Sequence, residues 1–380
     1  MENITRFLEH LMAISTPEKP AWNKEKDLET FEPHWNYIDG CMIKAVLGMY
    51  KATNDKKYVD FADNFIDYYV SEDGTILGYS VDELNCDHIN EGKVLYDLYD
   101  YTGKEKYKKA LDLLYSQVKI QPRTEGGNFW HKNIYPNQIW LDGLYMVQPF
   151  YLEYEKRYNG FEGYKDVFKQ FDNVYKLMKD ERTGLFFHAY DETKSMFWAD
   201  AKTGLSQNFW TRSLGWYAMA LVDTIDIMDE MYFYEYETLQ VQLKELLDAL
   251  LSVQDLDSKM FWQVTEFASR EGNYLETSGT CAIAYTLMKG ARLGYLPTYY
   301  YDKGKEIFDA VAASKLVERN GELVLKDICL VAGLGGMPGK GSYKLRDGTY
   351  EYYISEPIVD NDAKGVAPFY FAAAEALLHK

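Results

Sequence analysis

No stretch of this chain is apolar for long enough to span a bilayer, and no Lys/Arg-rich run occurs in a sequence whose formal net charge is −18. A membrane span is therefore not expected. Nucleic acids and anionic membrane surfaces are not expected partners either, because both bind through a positive footprint. The opening residues, MENITRFLEHLM, lack a basic stretch followed by an apolar one, so no secretory signal is read there. Cysteine is scarce: Cys41, Cys86, Cys281 and Cys329 lie far apart and form no CxxC pair. Free thiols in a reducing compartment follow, with the cytoplasm as the expected location. A chain trimmed of its signal would read the same way, which leaves the periplasm open. Neither HExxH nor a regular Cys/His spacing occurs among the six histidines, so no metal is expected. The run GLGGMPGKG (333–341) fails as a phosphate loop, since Gly341 stands where Ser or Thr must follow Lys340. No strand-then-helix context surrounds it.

Alternating strands and Pro/Gly/Ser-rich linkers are also wanting, and the chain is instead organised by helical repetition. Residues 41–53 place Ile43, Val46, Leu47 and Tyr50 on one stripe, a break follows at Asn54-Asp55, and a second helix runs from Lys57 to Tyr69. The same pairing returns as EGKVLYDLYDYTG with KEKYKKALDLLYSQV and as DGLYMVQPFYLEYEKRYNG with YKDVFKQFDNVYKLM. It returns again as LGWYAMALVDTIDIM with YETLQVQLKELLDALLSV, and as SGTCAIAYTLMKGARLG with YDKGKEIFDAVAASKL. A last helix, GVAPFYFAAAEALL, lacks a following partner and is expected to pair with the N-terminal one near Ile4–Ala13. First helices start with small residues and carry few charges; second helices are rich in Lys, Asp and Glu. That contrast predicts an inner ring buried on nearly all faces and an outer ring with one solvated face. The fold expected is all-α, an (α/α)6 barrel of six hairpins, with residues 1–380 forming one domain.

In such a barrel the segments before the inner helices line one mouth. They read WNYIDG (35–40), NCDHINEG (85–92), GNFWHKNIYPNQIWLDG (127–143), FFHAYDE (186–192), NFWTRSLGW (208–216) and NYLETSG (273–279). Trp, His, Asp, Arg and Asn would converge at helix N-termini, where free N–H groups and the helix dipole favour anions. Aromatic residues make up 16% of the chain, enough for stacking platforms beyond what the core needs. The Gly- and Tyr-rich segment 330–357 reads as a long mouth loop, a candidate lid.

Asp142 lies in QIWLDGLYM. A helix cap is its ordinary reading. Trp140 and Tyr145 beside it would desolvate the carboxyl and favour the protonated acid. Asp87 holds the corresponding place before the preceding inner helix, where a plain cap is equally open. Two carboxylates held at different protonation states are the usual apparatus for breaking glycosidic bonds. His88, His131 and His188 suit hydrogen bonding to a substrate or a partner acid, with a structural role as the alternative. Arg212, between Trp210 and Trp216, either packs on indole faces or grips a carboxylate, and Lys132 would add positive charge.

The runs GGNFWHKNIYPNQIWLDGLYMVQPF, FHAYDE, FWTRSLGWYAMALVD and ETSGTCAIAYTLMKG resemble glycoside hydrolase family 105, the unsaturated rhamnogalacturonyl hydrolases. Family 88, the unsaturated glucuronyl hydrolases, is the more distant likeness. The resemblance extends over nearly the whole chain and implies the same barrel. It implies a substrate whose non-reducing uronate carries a C4–C5 double bond, and hydration of that vinyl ether. It assigns Asp142 as general acid/base and Asp87 as the second acid. His188, Arg212, Trp210 and Trp216 match substrate-contacting positions, with Trp140, His131 and Lys132 beside them. No metal or organic cofactor is implied. A small anionic oligosaccharide is the expected partner, and a monomer or weak homo-oligomer the expected assembly. The histidine of DHINEG has no clear counterpart in the family. Two other readings stay open: a glucuronyl hydrolase of glycosaminoglycan fragments, and a glycan-binding barrel without catalysis.

Overall fold

The computed structural model describes residues 1–25, 32–335 and 345–379. The candidate lid therefore lies partly outside the described residues, as does most of the glycine-rich run within it. The helices are α1 Glu2–Ala13, α2 Tyr37–Thr53, α3 Lys56–Asp67, α4 Asp87–Asn90, α5 Lys93–Thr102, α6 Glu105–Ile120 and α7 Leu141–Tyr158. They continue as α8 Tyr164–Met178, α9 Thr211–Ile227, α10 Phe233–Ser252, α11 Thr277–Arg292, α12 Tyr299–Ser314, α13 Tyr350–Tyr353 and α14 Ala363–Leu378.

Contacts order these helices into two concentric rings. In the inner ring α2 adjoins α4 and α5, α4 adjoins α7, α7 adjoins α9, α9 adjoins α11, α11 adjoins α14, and α14 returns to α2. Each inner member but α14 is backed by the helix that follows it, α3, α6, α8, α10 or α12. Behind α14 stands α1, tied by the Tyr370 hydroxyl donating to the Ile4 carbonyl at 2.7 Å and by the Phe7–Tyr370 ring contact. The chain is thus an (α/α)6 barrel closed between its two ends. One inner wall is made of two helices, because the segment expected as a loop before α5 itself forms the short α4.

Burial follows the expected contrast. Every residue of α11 from Thr277 to Ala291 is buried, whereas its outer partner α12 buries only a stripe that includes Tyr300, Ile307, Phe308 and Val311. Small residues let inner helices approach: a Cβ on Gly279 would lie 2.6 Å from the Thr211 carbonyl oxygen, and one on Gly40 would lie 2.5 Å from the Glu91 Cα. No helix among the described residues is long and apolar enough to cross a membrane.

Short antiparallel hairpins decorate one mouth. β1 (Gln138–Trp140) pairs with β2 (Ala189–Asp191), and β3 (Phe261–Trp262) with β4 (Leu275–Glu276). β5 (Leu316–Arg319) pairs with β6 (Glu322–Leu325), and β7 (Ile328–Cys329) with β8 (Ile358–Val359). β1 runs directly into α7 and β4 into α11, so these strands fix how inner helices begin. Around them lies a second apolar cluster of Trp140, Trp198, Trp210, Cys329, Leu334, Tyr350, Tyr352 and Tyr353, separate from the main core.

Candidate active site

The two acids are not helix caps. Trp140 occupies the N-cap of α7 and Cys86 that of α4, neither with a side-chain capping bond, so Asp142 and Asp87 sit inside the first turn. Three other inner helices are capped by side chains, Asn36 on α2, Glu276 on α11 and Asp362 on α14, while α5 and α9 are not. The Asp142 carboxylate is therefore free of that duty.

Its surroundings are narrow. Asp142 Oδ2 lies 3.3 Å from His188 Nε2 without hydrogen-bond alignment, and both atoms are buried without a hydrogen-bond partner. The other ring nitrogen of His188, Nδ1, meets the Tyr353 hydroxyl at 2.8 Å. Trp140 stands edge-on to the His188 ring at 5.3 Å, and Trp210 is tilted against it at 4.8 Å. A polar pair left incompletely bonded in aromatic surroundings is costly for folding alone, which makes it a candidate for work on a ligand.

Asp87 is placed differently. Lys132 Nζ lies 2.6 Å from one of its oxygens and His131 Nε2 3.4 Å from the other. Burial pushes the Asp87 carboxyl up, but Lys132 and His131 outweigh it and hold the group below the ordinary carboxylate range. Asp87 is thus an ionised partner of Lys132. Burial lowers His131 to about 4, leaving its imidazole neutral. Its ring lies nearly parallel to Trp140 and Tyr135. A Cβ on Gly143 would come 3.0 Å from His131 Nδ1, which explains the glycine after Asp142.

Arg212 is buried, 2% exposed, with its guanidinium over the Trp210 ring at 4.6 Å. It donates to the carbonyls of Cys329 and Leu330, leaving Nε without a partner. The bidentate fork expected for a substrate carboxylate is thus largely committed to the backbone before α14. Trp210 donates its own N–H to Gln263 at 3.0 Å. Trp216 is fully buried in the main core, stacked on Tyr145 at 4.9 Å, below rather than at the mouth. His88 sits beside Asn85 and 3.5 Å from Glu83, its carbonyl accepting the Trp35 indole N–H.

Three residues at this mouth were not singled out from sequence. Tyr353 reaches His188 from 165 positions away, and only the tyrosine-rich character of its segment hinted at it. Lys364, buried in the first turn of α14, pairs with Glu25 at 2.9 Å and Asp362 at 3.0 Å. Glu276 accepts from Ser278, Gly279 and Cys329 backbone N–H groups, tying α11 to β7. Among the described residues no three His, Cys, Asp or Glu side chains are grouped to hold a metal ion.

A toroid of paired helices, with an acid free of capping at its N-terminal mouth and aromatic rings around it, defines a carbohydrate-active enzyme class. The particular family follows from comparison. The model of Glycosyl Hydrolase Family 88 matches residues 12–379, and the chain belongs to that family of glycoside hydrolases. It is 43% identical to a family 105 glycoside hydrolase structure from C. acetobutylicum ATCC 824, covering 98% of both chains with a TM-score of 0.88. It is also 26% identical over 292 residues to the unsaturated rhamnogalacturonyl hydrolase YesR of Bacillus subtilis, 75% of this chain and 78% of that one. Protein Atu3128 of Agrobacterium fabrum is 35% identical over 241 residues, 61% of this chain and 99% of its own length.

Proposed function

We propose that this enzyme removes the Δ4,5-unsaturated uronate from the non-reducing end of lyase-generated pectin fragments, with the unsaturated rhamnogalacturonan disaccharide as substrate. The observation that carries the reading is Asp142 Oδ2, buried and without a hydrogen bond beside His188. The likeness to YesR supports the rhamnogalacturonan side of the choice.

The chemistry asked of the site is modest. Asp142, as the acid, gives its proton to C4, and the C4–C5 π electrons form the new C–H bond. The cation left at C5 is stabilised by its ring oxygen. Water adds there, and its proton returns to the Asp142 carboxylate. The hemiketal opens at the C5–O bond, and the hemiacetal left at C1 releases the remaining sugar. His188, held by Tyr353, stands beside the Asp142 carboxylate at 3.3 Å. Lys132 and the uncommitted N–H groups of Arg212 supply positive charge for the uronate carboxylate, a need sharpened by the acidic chain around them. Trp140 and Trp210 wall the sugar, and Asp87 holds Lys132 in place. On this reading the whole chain serves as one catalytic domain.

Lyase digests of rhamnogalacturonan, homogalacturonan and chondroitin, followed side by side through loss of the unsaturated uronate's ultraviolet absorbance, test the substrate. The rhamnogalacturonan digest is expected to be consumed fastest. Faster loss with chondroitin fragments would favour the glucuronyl hydrolase reading instead.

A further inference from the structure

The opposite end of the barrel holds a cavity of about 340 Å³. Much of its lining comes from the C-terminal halves of the inner helices, with Gly48 and Lys51 on α2, Asp97 on α5, Asp226 on α9 and Glu375 on α14, while Lys93 at the start of α5 and Tyr145 in the first half of α7 reach it from deeper in the barrel. The acid-bearing mouth described above is built from the N-terminal ends of the same helices, so the two openings lie at opposite ends of the axis. Ligand cavities commonly start at about this size.

Most charges lining this cavity cancel. Lys44 and Lys51 both reach Asp97 at 2.6 Å, Lys289 lies 2.9 Å from Asp223 and from Asp226, and Arg292 holds Glu375. Lys156 is exposed and, among the described residues, bonds only the Ile227 carbonyl, so the buried exception is Lys93. It is only 6% exposed, and no carboxylate lies within ion-pair distance of it among the described residues. Pro149 explains its position: lacking an N–H, it leaves the Tyr145 carbonyl one turn earlier without a helical partner. Lys93 Nζ donates to that carbonyl at 3.0 Å and lies 3.4 Å from the Tyr145 ring centroid. One carbonyl uses one of three donors, and a carbonyl does not neutralise an ammonium. Burial accordingly drops the amine to about 7. Across the whole lining, seven cations face five carboxylates in a chain whose net charge is −18. Tyr96, Tyr285 and Phe371 add ring faces to the walls.

We propose that this cavity is a second binding site, which takes a small organic monoanion carrying one sugar-sized ring, a uronate-like carboxylate, on Lys93. The carboxylate supplies the counter-ion that Lys93 lacks, and the aromatic walls cover the ring.

Calorimetric titration of the full-length chain with sodium galacturonate tests this, with galactose and sodium phosphate as parallel arms. Wild type is expected to bind galacturonate with a Kd of about 1 mM, roughly the range one ion pair and one covered ring support. Lys93→Met is expected to weaken it at least tenfold while hydrolysis at the other mouth is retained. Gly48→Met guards against a folding defect, since Gly48 lines the cavity and a Cβ there meets only ordinary contacts. It too is expected to abolish this binding. Galacturonate affinity unchanged in both variants would place the ligand at the other mouth and overturn the proposal. Equal affinity for galactose would overturn the anion requirement, and equal affinity for phosphate the sugar-acid assignment.

Discussion

The two mouths of the barrel are built from the same six inner helices yet treat polar groups in opposite ways. At the C-terminal mouth the charges are matched across neighbouring helices, Lys289 with Asp223 and Asp226 and Arg292 with Glu375, and Lys93 stands apart. At the N-terminal mouth buried polar atoms are left open: Asp142 Oδ2, His188 Nε2, His131 Nδ1 and Arg212 Nε. Folding alone disfavours such atoms, at about 1–3 kcal/mol each. On the proposed function, ligand groups complete the bonding of these four, whereas Gln148, Tyr217, Thr224 and Gln242 carry such atoms along the barrel wall. Within the N-terminal mouth the two acids divide in the same way, Asp87 ion-paired with Lys132, Asp142 beside His188 with Oδ2 free of hydrogen bonds.

That contrast can be broken residue by residue. The largest effect is expected for Asp142→Asn, which keeps shape and removes the transferable proton: kcat should fall by about 10³-fold while helical circular dichroism and fragment binding persist. Near-normal turnover would remove the acid/base assignment. Asp87→Asn should act on stability as well, because it leaves Lys132 partly buried without its counter-ion, at a cost of about 2 kcal/mol at neutral pH in urea unfolding. Asp87 is held low in the folded chain, so its contribution is fully present above the unfolded carboxylate value of about 4 and lost as pH falls through the folded one. The gap between wild type and variant should therefore close in acid; a gap that is flat with pH would contradict the ion-pair account.

Tyr353→Phe removes one hydrogen bond from His188 and is expected to lower kcat about five- to tenfold with little change in KM. A change confined to thermal stability would make Tyr353 a packing residue only. At the matched mouth, Lys51→Gln removes a half-exposed cation whose partner Asp97 keeps Lys44. Its effect should stay within about 0.5 kcal/mol, with activity untouched, and a thermal melt checks this.

Much of the barrel was legible because helix periodicity, small residues opening each inner helix and charge on the outer ones all repeat. The closing pair of α1 and α14 followed from counting. Sequence missed the short α4, since Asp87–Asn90 reads as part of the loop NCDHINEG. It also missed the mouth hairpins, whose strands of two to four residues carry too little alternation to register. Asp142 and His188 stood out as polar groups in aromatic runs, and Asp87 by its matching place before the preceding inner helix. Tyr353 did not, because nothing local distinguishes it from Tyr350 or Tyr352. Trp216 was expected at the mouth with Trp210, but nearly two turns along α9 carry it down to Tyr145 in the core. Pairings that depend on residues far apart in the chain, such as Tyr353 with His188, are not visible until the ring closes.

The central claim is that the N-terminal mouth delivers a proton to C4 of an unsaturated uronate. Turnover of the rhamnogalacturonan lyase product in heavy water, with the released acid read by NMR, tests it most directly. The account predicts one deuterium at C4 of the released acid, and its loss of formation in Asp142→Asn. Release of the sugar as an acid that still carries the C4–C5 double bond, with no deuterium at C4, would show ordinary attack at the anomeric carbon and contradict it.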